Sequence, residues 1–267
     1  MPCALIIGIH SGIGSALADA LSAEGWSIIG TSRSGQSDTP PQFYFCDLST
    51  SESVDSAIVE LTKSSVRWDA VIVAPGTMEP IGKIDTVSAD AWAESIDVNF
   101  TNQMRLIVGL LPLKSSSAVG QPIVVTFAGG GTNSAPVGFS AYTLAKLAMV
   151  KGMEVMAEEF QDVTFVNIGP GWVKTKIHQQ AMDNSATPES SRKETERRLQ
   201  EDDFVPMSKV VAMVLWVLNA PASVVTGRNF SAQHDPIENP QFEIGLASDS
   251  NLMKLRRFGN AYNWMAK

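Results

Sequence analysis

The sequence predicts an α/β fold, a single domain built on a doubly wound parallel β-sheet with helices on both faces. Three observations carry that expectation. Short apolar runs alternate with longer segments of helical periodicity, and each run ends in a turn. The first run leads directly into a glycine-rich turn and then a helix, the opening of a dinucleotide-binding unit. The chain has 267 residues, 44% of them hydrophobic, which suits one large core without a second domain.

Composition narrows the partners. The formal net charge is −8, whereas a nucleic-acid or anionic-membrane surface would want clustered Lys and Arg. Neither partner is expected; a small-molecule substrate is. Cys3 and Cys46 lie in apolar, strand-like contexts without a secretory leader, so no disulfide framework and a cytoplasmic setting are expected. The apolar runs Ala4–Ile9 and Val210–Leu218 are too short to span a bilayer. His10, His178 and His234 are scattered with no metal-ligand spacing, so no metal is expected. His10 lies either beside cofactor phosphates or simply on the surface.

Ala4-Leu-Ile-Ile-Gly8 reads as the first strand, Gly8-Ile-His-Ser-Gly-Ile-Gly14 as the turn, and Ser15–Gly25 as a helix with a glycine stop. Glycine in such a turn lets the backbone approach a pyrophosphate, whose charge is met by exposed amides and the positive end of the helix. A plain strand-to-helix turn is the alternative. Trp26–Thr31 is the second strand, and Ser32-Arg33-Ser34 ends it where an adenosine ribose would lie. Arginine there accommodates a 2′-phosphate where an acid would grip a 2′-hydroxyl, so NADP(H) is favoured over NAD(H), unless Arg33 is only a solvated loop residue. Phe43–Cys46, the third strand, runs into Asp47, and Ser49, Thr50 or Ser51 caps a helix through Leu61. Asp47 either holds the adenine amino group or organises the turn. Asp69–Gly76 carries the fourth strand, with Pro75-Gly76 where backbone passes close to a cofactor. A long amphipathic helix is expected over Ala89–Leu111. Within it Asn99 stands polar among Val98, Phe100, Leu106 and Ile107, as a clamp on a neighbouring strand or a holder of water.

Pro122–Phe127 is the fifth strand, followed by Ala128-Gly-Gly-Gly-Thr132. In the helical run Phe139–Val150, Tyr142 and Lys146 stand four residues apart and share a face. An ammonium there would lower the phenol's pKa, which suits a group that gives and takes a proton. Val163–Ile168 is the sixth strand and breaks at Gly169-Pro-Gly-Trp-Val-Lys-Thr175. The charged segment 177–205 reads as a mobile lid with Ile177, Met182 and Phe204 facing inward. Its alternative is a solvated excursion in which Arg192, Lys193, Arg197 and Arg198 pair with nearby Glu residues. Pro206 opens a helix over Met207–Asn219, and Ser223–Ser231 makes the last strand. The tail 232–267, with Tyr262 and Trp264, packs on a neighbouring subunit, over the active site or on its own domain. A homodimer or homotetramer is expected.

Jointly, Gly8, Gly12 and Gly14, Asp47, Asn99, Tyr142 with Lys146, and Pro170-Gly171 with Thr175 resemble the short-chain dehydrogenase/reductase family over nearly the whole chain. The resemblance implies a Rossmann-type sheet and an NADP(H)-dependent oxidoreductase passing a hydride between nicotinamide and a carbonyl or alcohol. It implies Tyr142 as general acid in reduction and base in oxidation. Lys146 would lower its pKa and bind the nicotinamide ribose, and Asn99 would hold a water in the proton relay. The implied cofactor surface comprises Gly8, Ser11, Gly12, Ile13, Gly14, Ser32, Arg33, Asp47, Leu48, Ala74, Pro75, Gly76, Tyr142 and Lys146. Pro170, Gly171, Val173 and Thr175 would shape the nicotinamide pocket. Three departures stand out. Ile7 replaces a common threonine, and Val73-Ala-Pro-Gly76 replaces Asn-Asn-Ala-Gly, removing an amide that ties the central strands. The family's catalytic serine falls on Ala128, with Gly129 the next candidate. Thr126, Thr132 and Ser134 are nearby hydroxyls, of which Thr132 is expected to substitute. Loss of one such donor costs about 10²–10³ in rate. A nucleotide-binding member with weak or no redox activity, acting as a sensor or interaction protein, and a nonredox branch such as an epimerase or lyase therefore stay open.

Overall fold

The computed structural model describes residues 1–37, 41–116 and 120–257, with the side chains of 176–179 excepted. Its frame is one seven-stranded sheet of β1 (Cys3–Ile7), β2 (Ser27–Ser32), β3 (Gln42–Phe45), β4 (Ala70–Val73), β5 (Ile123–Phe127), β6 (Thr164–Gly169) and β7 (Arg228–Ser231). The order is β3-β2-β1-β4-β5-β6-β7 and every neighbouring pair is parallel. Parallel strands need crossovers, so the chain leaves β3 at one edge and re-enters at β4, on the other side of β1. That reversal opens a crevice at the carboxyl ends of β1 and β4.

The strands read as continuous apolar runs because both faces of the sheet are covered. On one face Ala4 and Ile6 pack with Leu17 and Leu21 of α1 (Gly12–Ala23) and with Val210, Met213 and Val214 of α8 (Met207–Asn219). On the other, Leu5 and Ile7 pack with Val54 and Leu61 of α2 (Ser51–Lys63), Leu106 and Leu110 of α4 (Asn102–Leu110), and Met149 and Met153 of α5 (Ser140–Glu159). Alternate residues of one strand thus feed two cores. The remaining helices are α3 (Ala89–Ile96), α6 (Lys176–Asp183), α7 (Glu189–Glu201), α9 (Ala222–Val225) and α10 (Pro240–Ser248).

Three elements differ from the sequence expectation. Helix α1 starts at Gly12 rather than Ser15, because Ser11 caps it by accepting from the Gly14 N–H at 3.0 Å. The expected long helix over Ala89–Leu111 is two helices joined by a π turn, Asp97–Thr101, centred on Asn99. The expected strand Ser223–Ser231 begins only at Arg228: Pro221 opens the short helix α9, and Gly227, at φ +71°, turns the chain into β7. Tyr262 and Trp264 lie outside the described residues.

Candidate active site

One large cleft of about 1970 Å³ runs along the carboxyl edge of the sheet, room for a dinucleotide and a second small molecule. Its floor at β1 is built by glycines. A Cβ on Gly8 would lie 2.5 Å from the Pro75 ring, and one on Gly14 would lie 2.3 Å from the Gly8 carbonyl oxygen. The turn and helix therefore pack at a distance that side chains forbid. Ser11, Gly12 and Ile13 line the cleft at the start of α1, and Gly14 lies behind them.

At the end of β2, Ser32 and the exposed Arg33 line the same cleft, and Arg33 has no ion pair among the described residues. His10 is exposed at the surface where it borders the cleft: its Nδ1 lies 3.1 Å from Ser32 Oγ, and its ring meets Phe43 edge-on at 4.7 Å. Asp47 and Leu48 also line the cleft. The Asp47 carboxylate accepts from the Ser49 N–H at 2.9 Å, so it organises the turn before α2. Ala74, Pro75, Gly76, Pro170, Gly171, Val173 and Thr175 complete the wall.

Tyr142 and Lys146 sit one turn apart on α5, both nearly buried at 9% and 4% exposure, and both face the cleft. A Cβ on Gly76 would fall 3.6 Å from Lys146 Nζ and 3.2 Å from Asn99 Oδ1, so β4's exit, the ammonium and the asparagine converge. The expectation that Lys146 lowers the phenol's pKa is not met. Burial pushes Tyr142 up to about 12 and pulls Lys146 down to about 8, because losing water disfavours phenolate and ammonium alike.

Asn99, fully buried, acts as a clamp: its Oδ1 accepts from the Thr77 N–H at 3.0 Å, and its Nδ2 donates to the Thr77 and Ser95 carbonyls at 2.9 Å each. Two neighbours, which the sequence reading passed over, share that task. Gln103 Nε2 donates to the Pro75 carbonyl at 3.1 Å, and Asn102 Nδ2 to the Leu48 carbonyl at 2.9 Å. They tie the strand ends where Val73-Ala-Pro-Gly76 lacks an amide. The signal was present, since both are polar positions in an apolar helix, as Asn99 is.

The hydroxyl candidates separate. Thr126 is consumed in the core, its Oγ1 accepting from Asn167 Nδ2 at 2.7 Å with both residues fully buried. Ser134 is exposed and does not line the cleft, whereas Thr132 does. The residue abutting the phenol is Gly129 rather than Ala128: a Cβ on Gly129 would lie 2.6 Å from Tyr142 Oη. Ala128 still follows the sheet, its N–H donating to the Ile168 carbonyl at 2.9 Å.

The segment after β6 closes one side. Gln180, Ala181, Ser190, Ser191, Glu194 and Thr195 face the cleft, and neither Met182 nor Phe204 is among its lining. Ala181 belongs to a small apolar cluster with Ile81 and Phe139, which fixes the rotation of α6 and turns Met182 aside. Phe204 lies past the left-handed Asp202, against the Lys174 ammonium. The side chain of Ile177 lies outside what is described. Arg197 and Arg198 pair with Glu194 at 3.0 and 2.8 Å and Lys193 with Glu189, as the solvated alternative expects, but Arg192 instead caps α6 through the Met182 and Asn184 carbonyls. Among the described residues no cluster suits a metal ion, and no helix is long and apolar enough to cross a membrane.

Comparison with known proteins agrees with this geometry. A family model described as enoyl-(acyl carrier protein) reductase matches residues 8–233. The chain is 28% identical over 181 residues to the short-chain dehydrogenase/reductase olcF of Penicillium canescens, covering 65% of this chain and 69% of that one. It is 25% identical over 195 residues to an NADPH-dependent pterin aldehyde reductase of Arabidopsis thaliana, covering 68% and 79%. The crystal structure of a short-chain dehydrogenase/reductase from Saccharomyces cerevisiae superposes with a TM-score of 0.74 at 18% identity, over 91% of this chain and 98% of that one.

Proposed function

The chain belongs to the short-chain dehydrogenase/reductase family of oxidoreductases, and we propose that it transfers a hydride between NADP(H) and a carbonyl or alcohol substrate, with Tyr142 as general acid and base. The observation that carries this reading is the buried pair Tyr142 and Lys146, on a cleft whose far end is the glycine turn of β1 and α1. The donor set fits a dinucleotide. The space that a Cβ would fill at Gly8 and Gly14 keeps the backbone close, and Arg33, which has no ion pair among the described residues, offers its guanidinium to a 2′-phosphate. The NADPH dependence in the name of the Arabidopsis relative supports the same cofactor.

When bound, the nicotinamide supplies or accepts the hydride. The protein does the rest. Burial keeps the Tyr142 phenol protonated at neutral pH, ready to donate to a carbonyl oxygen in reduction. Lys146 binds ribose hydroxyls and, while charged, offsets a developing phenolate. Asn99 serves the proton relay through a water held at the π turn, and locks the Thr77 loop beside it. Segment 177–205 acts as the substrate lid. Exposed Val108 on α4 and Leu144 and Val155 on α5 support a homodimer or homotetramer.

Fluorescence titration with both cofactors and a carbonyl panel that includes pterin aldehydes tests this reading. NADPH should bind about tenfold or more tightly than NADH, and Arg33→Ala should remove most of that margin while leaving NADH binding unchanged. Equal affinities contradict the NADP assignment; NADPH binding without turnover across the panel contradicts the redox reading.

A further inference from the structure

Resting on the redox reading above, we propose that the substrate oxygen is held opposite Tyr142 by main-chain N–H groups of Gly129 and Gly130 rather than by a side-chain hydroxyl. With Tyr142 where it stands, residue 129 has no room for a side chain, because its Cβ would lie 2.6 Å from Oη, Cζ and Cε1 of the ring. Glycine lets the backbone itself come close to the reacting hydroxyl. Both Gly129 and Gly130 line the cleft, and a Cβ on Gly130 would meet nothing within 4 Å.

The amides are free to donate. The Ala128 N–H is spent on the Ile168 carbonyl, whereas the amides of Gly129, Gly130 and Gly131 have no hydrogen-bond partner among the described residues. A main-chain donor without a partner gains most from an oxygen that becomes more negative during reaction. In reduction the carbonyl oxygen gains that charge as hydride reaches the carbon, and it takes its proton from Tyr142. The segment is also held in shape from behind. Gly131, at φ +106°, packs so tightly on Thr143 that a Cβ would lie 2.4 Å from its methyl group. Thr143 also lines the cleft, but its Oγ1 is buried and has no hydrogen-bond partner among the described residues. Of the hydroxyls expected near the end of β5, Thr126 is bound to Asn167, and Thr132 lines the cleft two residues beyond Gly130.

Replacing Gly129 or Gly130 by glycolate, one at a time, turns the amide into an ester and deletes a single N–H without adding an atom that could clash. At least one ester should lower kcat for carbonyl reduction by about 10²-fold with NADPH affinity within twofold of the parent. Gly129→Ser should lower kcat too, since its Cβ displaces the phenol. The proposal is overturned if both esters keep kcat within twofold, if Gly129→Ser raises kcat, or if Thr132→Ala loses as much as the more damaging ester. Tyr142→Phe separates the two levels: loss of turnover there alongside harmless esters sinks only the backbone donor, whereas retained turnover sinks the redox reading beneath it.

Discussion

At Lys146 the cost of burying a charge is expected to set the pH at which the site works. The ammonium is pulled down to about 8, so it is protonated below that pH and neutral above it. Tyr142, pushed up to about 12, keeps its proton throughout and does not limit the alkaline side. Accordingly kcat/KM for NADPH, which reports the free enzyme, should fall about tenfold per pH unit above an inflection near 8, and Lys146→Arg should lose that inflection. A flat profile to pH 10 in the parent would remove Lys146 from cofactor binding. The pairing of these residues was legible from a four-residue spacing, because that spacing is one helical turn whatever surrounds it. The direction of the phenol's shift was not, since it depends on burial. The choice between Ala128 and Gly129 was equally hidden: it rests on the strand's last hydrogen bond, Ala128 N–H to Ile168, which no local pattern announces.

Among the elements, the bracket formed by α6 and α7 lines one side of the cleft. Asn184 Nδ2 donates to both carboxylate oxygens of Glu79, at 3.2 and 3.1 Å, and Gln180 Oε1 accepts from the Met78 N–H at 3.3 Å. These bonds fasten α6 to the loop after β4. Hydrogen bonds to a charged partner contribute about 1.5–3 kcal/mol, so Asn184→Ala should raise KM for the carbonyl substrate about tenfold. NADPH affinity should stay within twofold, because the tether lies away from the glycine turn. A KM that does not move would show that the bracket is a surface excursion. Its charged composition made the segment visible in the sequence, but Met182 and Phe204 do not line the cleft as expected, and the rotation of α6 that turns Met182 aside is set by Ala181 packing on Ile81 and Phe139, far away in the chain. The π turn at Asn99 was likewise invisible: one extra residue per turn barely disturbs a helical pattern of apolar positions.

For the whole molecule, the strand order was nearly readable, because each apolar run ends at the same edge and right-handed crossovers leave few arrangements. β7 was the exception at its start, where Val224 and Val225 are buried by a helical turn that their β-branching disfavours. The order places the β1–β4 switch point between the glycine turn and Tyr142, so that a cofactor laid along the cleft ends beside the phenol. Substrate identity depends on side chains gathered from α3, the loop after β5 and α6, which only the folded chain brings together. The central claim is that this assembly uses Tyr142 to move a proton to a carbonyl oxygen. Single-turnover reduction of a carbonyl substrate by the preformed NADPH complex of Tyr142→Phe tests it most directly. The account expects NADPH affinity within twofold of the parent and a rate lower by about 10²–10⁴-fold; a rate within tenfold of the parent would contradict it.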